Sequence, residues 1–242
     1  MAYQERSTSP WVYIGIGCLA AFLVLVAVVV GLGYIGYRTV RGTIESLEDP
    51  VARASAAARI LGTDEIPAGY YPMVGMSIPF LMETAVLSDN PPDESGMVHG
   101  FSERGFIYLK TLRFGEQEQE LRDFFEGRIE DPEALRQFSI DLDVDEMLDR
   151  GSFEETGRIL RWASYRGEVA ADDPDSGGRQ RRRGLNAMVL IECPDDERLR
   201  FGLWFGPDPD PEAQAGSPAL AGTPADAAAI QEFLSHFDVC GQ

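Results

Sequence analysis

The side chains able to do chemistry are few. The 242-residue chain has two histidines, His99 and His236, and three cysteines, Cys18, Cys193 and Cys240. A Ser-His-Asp or Cys-His device therefore has only two candidate bases. His99 sits in the loop-like segment GMVHGFS, where a solvated role is the simpler reading. His236 closes a C-terminal helical segment, where its ring can favour the partial negative charge of the helix end. Cys193, His236 and Cys240 include a His-x-x-x-Cys spacing, one helical turn apart. Structural zinc needs four ligands, however, and tight Cys-x-x-Cys pairs are missing. The sequence assigns no metal, no cofactor and no catalytic residue.

Acidic residues offer two further constellations. Asp141-Leu-Asp143-Val-Asp145 places carboxylates at the first, third and fifth positions of a calcium loop. Glu146 then stands where such a loop needs Gly, and Ser152 where it needs a bidentate Glu. Alternation with Leu142 and Val144 reads instead as a strand edge with its acids outward. Asp89, Asp93 and Glu94 are the carboxylates a membrane-anchored hydrolase would draw on. No GxxxxGK[ST], GxGxxG or G-x-S-x-G motif is present, and Gly75-Met-Ser77-Ile-Pro79 has Pro where the last Gly belongs.

One basic cluster stands out. ADDPDSGGRQRRRG, residues 171 to 184, carries Arg179, Arg181, Arg182 and Arg183. As an exposed hairpin loop it could dock an anionic envelope component or an acidic protein partner. The plainer alternative is a solvated loop whose arginines balance Asp172, Asp173 and Asp175. Elsewhere the chain is acidic, with 40 Asp plus Glu against 21 Lys plus Arg and a net charge of −19. No nucleic-acid partner is expected, because phosphate binding needs a basic footprint.

The elements that must carry these residues follow from pattern. Asp49-Pro50 opens a helical stretch, VARASAAARIL, closed by Gly62. Strands are expected over about 72 to 78 and 81 to 88, then at GFIYLKTLRF. EQEQELRDFFEG and DPEALRQF read as helices covering one side of the sheet. RILRWASYRGEVA, GLNAMVLIEC and RLRFGLWFG read as an antiparallel meander, followed by a mobile Pro, Ala and Gly linker over 207 to 222. A last helix, AAAIQEFLSHF, starts at Thr223-Pro224-Ala225-Asp226. The fold class is α+β, with a mostly antiparallel sheet of about six strands and flanking helices, one of them C-terminal.

Residues 11 to 37 contain no Asp, Glu, Lys or Arg. As helix they reach about 40 Å, more than the roughly 30 Å of hydrocarbon. Trp11, Tyr13, Tyr34 and Tyr37 mark the two interfaces. The apolar run is too long for a cleaved signal core, so an uncleaved anchor in the lipid bilayer is expected. The organisation is a polar tail at 1 to 10, a transmembrane helix at 11 to 37, a juxtamembrane helical segment at 38 to 62 and an acidic domain at 63 to 242.

Orientation has two opposed signals. Arg38, Arg41 and Arg53 follow the span, against Arg6 and Glu5 before it, which favours a cytoplasmic domain. Cys193 and Cys240 are the only cysteines outside the span, an even number that an oxidising compartment would pair. Cys193 ends an apolar strand and Cys240 follows the helix that must pack on that sheet, so a disulfide and an extracytoplasmic domain are expected. The function expected is that of a single-pass envelope protein with a non-catalytic binding domain. The alternatives are an anchored enzyme using carboxylates, or a scaffold on the cytoplasmic face.

Overall fold

A computed structural model describes residues 49–78, 80–112, 115–129, 141–155, 157–172, 179–194 and 196–241. The expected tail at 1 to 10 and span at 11 to 37 lie outside the described residues, and so does the expected helix at 131 to 138. Among the described residues no helix is long and apolar enough to cross a membrane. All of them belong to a compact unit that begins at Ser46.

The first helix, α1 (Pro50–Leu61), has the ends its sequence encodes. The Asp49 side chain accepts from the Val51 and Ala52 amides, Pro occupies the first turn, and Gly62 closes the helix at φ 64°. Seven strands follow: β1 (Tyr71–Ile78), β2 (Met82–Ser88), β3 (Gly105–Thr111), β4 (Asp141–Glu155), β5 (Arg158–Asp172), β6 (Arg179–Cys193) and β7 (Asp196–Gly206). Helix α2 (Gly115–Phe125) lies between β3 and β4, and α3 (Ala227–Ser235) follows β7. The strands form one sheet in the order β1-β2-β3-β7-β6-β5-β4, every neighbouring pair antiparallel. Two meanders, of three and four strands, meet where β3 pairs with β7.

Seven strands replace the expected six because the acidic segment from Asp141 is not merely an edge fragment. It continues as the 15-residue β4, paired with β5 along its length apart from two irregularities. Seven acids and two bulges protect that outer edge from further pairing.

The helices lie on both faces, not on one. Facing α1 and α3, the sheet buries Ala85, Leu87, Phe106, Tyr108, Leu160, Trp162, Val189 and Trp204. Facing α2, it buries Ala163, Tyr165, Met188, Leu190, Phe201 and Leu203. Continuous apolar runs such as AMVLIEC and FGLWF are the mark of strands covered on both sides. The approach of α1 is close: a Cβ at Gly75 of β1 would stand 2.5 Å from the Ala57 amide nitrogen. Only Gly fits there.

The first meander departs from this pattern. Its inward positions, such as Gly75, Ala85 and Tyr108, are buried, whereas positions 74, 76 and 78, 82, 84 and 86, and 107, 109 and 111 are all half-exposed. Among the described residues helix α2 packs on β5, and Ile107 of β3 meets the core on that side.

The segment at 207 to 222, expected to be a mobile linker, is instead packed. Ala213 and Leu220 are buried against Leu185, and a short 3-10 turn spans Pro218–Leu220. Arg166 holds it through the Asp208 carboxylate (2.7 Å) and the carbonyls of Asp210 (3.1 Å) and Ala213 (2.6 Å).

Candidate functional site

The end of the sheet that carries the cysteines is the most elaborated part of the domain. Cys193 is the last residue of β6, and Cys240 lies five residues past α3. Their sulfurs are bonded and their α-carbons are 5.6 Å apart, within ordinary disulfide geometry. Both thiols are therefore unavailable to the zinc set considered above. Aromatic packing seats α3 beside them. Phe233 stacks on Trp204 with centroids 4.6 Å apart, and Phe237 stacks on Phe106 at 5.4 Å.

Two buried arginines complete the lock. Arg158 donates to the carbonyls of Phe237 and Leu234 and pairs with Glu155 at 2.7 Å. Arg200 is fully buried on β7 and donates to the Val239 carbonyl at 3.2 Å and to the Asp196 carboxylate. Each satisfies carbonyls that the end of α3 and the tail after it would otherwise bury without partners.

Between these parts lies a cleft of about 1030 Å³ whose walls include Glu155, Arg158, Asp196, Arg198, Asp238 and the disulfide. Two ion pairs lie within the wall, Arg158 with Glu155 and Arg198 with Asp196, and Asp238 adds a third carboxylate. The Arg198 guanidinium, reinforced by Arg200, holds the Asp196 carboxyl well below the usual carboxylate range. The same bond raises Arg198 further above its ordinary value. A cleft with two internal ion pairs and one further carboxylate suits a polar surface of mixed charge better than a bare anion.

From Arg200 a polar rung crosses the sheet on its inner face. Register places Arg200 opposite Lys110, Lys110 opposite Glu83, and Glu83 opposite Ser77. Lys110 is buried and pairs with Glu83 at 2.8 Å. Beside it, burial pushes the Tyr108 phenol far above its normal value. Charges at these depths are tolerated only when paired, so the rung is a structural feature of the four strands.

The four arginines lie on strand β6, not in the expected loop. β6 begins at Arg179, whose register partner on β5 is Asp172. Strand alternation then separates them. Arg181 and Arg183 point to one face, where they pair with Glu168 (3.0 Å) and Asp145 (2.8 Å). Arg182 points to the other and donates to the carbonyls of Phe101 and Ser102. It forms the wall of a pocket of about 290 Å³ with Arg183, Ser102 and Asn186. Arg182 is thus a tie between β6 and the loop at 89–104.

That loop also accounts for the carboxylates and the first histidine. Asp89 accepts from the amides of Ser102, Glu103 and Arg104. Asp93 accepts from the Ser95 amide and hydroxyl and the Met97 amide, and contacts His99 Nε2 at 3.0 Å. The Ser95 hydroxyl, then His99, holds the Asp93 carboxyl well below its ordinary range. These groups shape the loop. His236 is the exposed C-cap of α3. Among the described residues no group of three or more His, Cys, Asp or Glu is placed to hold a metal ion.

Sequence reasoning missed the buried arginines, Arg53, Arg158, Arg166 and Arg200. For Arg200 the signal was weak: it stands at the head of the continuous apolar run FGLWF in a strand buried at every position from Leu199 on. No protein-family model, curated protein or solved structure matches the chain.

Proposed function

We infer that the chain is a single-pass, membrane-anchored envelope protein whose domain lies outside the cytoplasm and acts by binding. The observation that carries this reading is the bonded pair Cys193–Cys240. Such bonds persist in oxidising compartments and are rare in the cytosol. Here the bond fastens the last helix and its tail beside the largest cleft described above, so the address and the binding surface share one element.

The opposing positive-inside signal weakens once Arg53 is placed. Arg53 is 2% exposed in α1 and donates to the carbonyls of Pro72 (3.1 Å) and Gly96 (2.5 Å). It serves the fold and drops out of the headgroup count, leaving Arg38 and Arg41 against Arg6 and Glu5. Two of the three acids of the enzyme alternative, Asp89 and Asp93, are occupied by backbone amides, while Glu94 has no such role. Arg181 and Arg183 have carboxylate partners, which favours a protein partner of mixed charge over a bare anionic polymer.

A reporter that is active only outside the cytoplasm, fused after Gln242 of the full chain, tests the address. Activity is the expected result. An inactive reporter together with an active cytoplasmic one at the same position would overturn it.

A further inference from the structure

One end of the sheet carries three hairpin turns and the C-terminal tail. The connections β1–β2, β4–β5 and β6–β7 all turn there, since Ile78 pairs with Met82, Glu155 with Arg158 and Cys193 with Asp196. The tail after α3 reaches the same end at the disulfide, beside the cleft. Helix α1 begins at the opposite end, where a Cβ at Gly96 would stand 2.6 Å from the Pro50 ring. The chain leading from the expected span therefore joins the domain at the end remote from the cleft.

The β1–β2 turn is unlike the other two. Leu81 donates its amide to the Ile78 carbonyl at 3.0 Å, and between them Phe80 adopts φ 66°. That left-handed conformation suits Gly, and a bulky side chain takes it only under strain. Phe80 is nevertheless 94% exposed and Leu81 58%, so contacts within the domain do not offset the strain. The hollow beneath the turn and the cleft share one wall, the Arg198 side chain, which makes tip and cleft a continuous surface.

The charge left over at this end is negative. Arg158 and Arg198 are taken by Glu155 and Asp196, whereas Asp238 on the cleft wall has no cationic partner among the described residues. Neither have Asp64 and Glu65, exposed just past Gly62, whose carbonyl accepts the Asp238 amide at 3.2 Å.

We propose that tip and cleft together dock a basic segment of a different protein in the same compartment. The Phe80 ring enters an apolar pocket on that partner, and Asp64, Glu65 and Asp238 receive its lysines or arginines. Three observations select this occupant. An exposed aromatic side chain is the kind of anchor that protein interfaces are built around. Unpaired carboxylates on a chain of net charge −19 attract a cationic surface, and they repel anionic headgroups and a second, equally acidic copy. The anchor joins the domain at the other end, which leaves this one to a partner arriving through water. The inference rests on the external binding domain proposed above and gives its cleft a class of partner.

The test uses the full chain in phosphatidylcholine nanodiscs and three fluorescent peptides, one of Leu and Lys, one of Leu and Glu, and one of Ser and Lys. The Leu-Lys peptide is expected to bind, more weakly as salt rises. Phe80→Gly, and separately Asp64→Asn with Asp238→Asn, should each weaken it about tenfold. Asp143→Asn with Glu212→Gln, exposed acids toward the other end, should change it by less than about twofold. Phe80→Gly should also leave the unfolding midpoint no lower than the parent's, because Gly accepts φ 66° without strain.

Equal binding of the Leu-Glu or the Ser-Lys peptide would overturn the proposal. So would equal losses from the two pairs of neutralised acids, which bulk charge attraction alone would give. A Phe80→Gly variant that binds as before, or that unfolds at a lower temperature, would assign the ring to the fold and overturn the docking role. A bimane label on Leu81→Cys, in a Cys18→Ser background, that brominated phosphatidylcholine quenches without peptide would overturn it in favour of a bilayer contact. An active external reporter with no peptide binding would sink this inference alone, and a cytoplasmic C-terminus would sink the address alone.

Discussion

Arg200 and Asp196 stand four residues apart at the start of β7, and the guanidinium of the first, fully buried, reaches the carboxylate of the second while also donating to the Val239 carbonyl. Through this one side chain the β6–β7 turn is tied to the tail after α3, one residue before Cys240. The disulfide and the ion pair therefore fasten the same two pieces of chain.

The ion pair makes stability fall in acid. Asp196 has its folded pKa held below the unfolded value, chiefly by Arg198 and with help from Arg200. Its contribution is present above the unfolded pKa of about 3.9 and is lost as pH falls through the folded value. Asp196→Asn should therefore be less stable than the parent chain at neutral pH, with the gap closing below about pH 4. Thermal midpoints measured across pH 2 to 7 check this, and a gap that widened in acid would contradict it.

Reduction should loosen the same corner. The bond closes a loop with a sequence separation of 47, worth about 4 kcal/mol on chain-entropy grounds. Cys193→Ser with Cys240→Ser should lower the unfolding midpoint accordingly. Hydrogen exchange should rise first at 240–241, because Arg200 still holds the Val239 carbonyl, and Arg158 and the aromatic stack still hold the end of α3.

The arginines of β6 should separate by face. Arg182→Ala removes two donors to the carbonyls of Phe101 and Ser102 and should cost about 1 to 3 kcal/mol. Arg181→Ala breaks only a pair in which the arginine is 69% exposed and should change stability by less than about 0.5 kcal/mol. Equal effects in denaturant titrations would mean that the alternation described here is wrong.

Arg166 makes the case for a packed segment at 207 to 222. Burial alone would lower its pKa, but hydrogen bonds to Asp208 and Glu146 outweigh that and raise it. Arg166→Ala should leave the sheet folded and increase amide exchange specifically at 208–222. Unchanged exchange there would show that Leu220 and Ala213 suffice.

The features that sequence made legible were those with a local code. Asp49-Pro50 and Gly62 bound a helix because capping chemistry is local. The meander from Arg158 to Gly206 follows from apolar runs and short turns. Cys193 and Cys240 could be paired because each closes an element that must touch the other. What stayed hidden depended on distant partners. Segment 207–222 has the composition of a linker and is ordered by Arg166, 42 residues before Asp208. Arg179 to Arg183 look like loop residues until β5 offers them a register. The second covered face of the sheet was implicit in the continuous apolar runs AMVLI and FGLWF, which a strand buried on one face does not need.

The most direct measurement is thiol labelling in intact cells. A membrane-impermeant maleimide is applied to cells expressing the full chain, with and without an impermeant reductant, and Cys193 and Cys240 are followed by peptide mapping. The expected result is that neither labels before reduction and both label after it without breaking the cells. Labelling of both cysteines only after lysis, and with no reductant needed, would contradict both the bond and the external address.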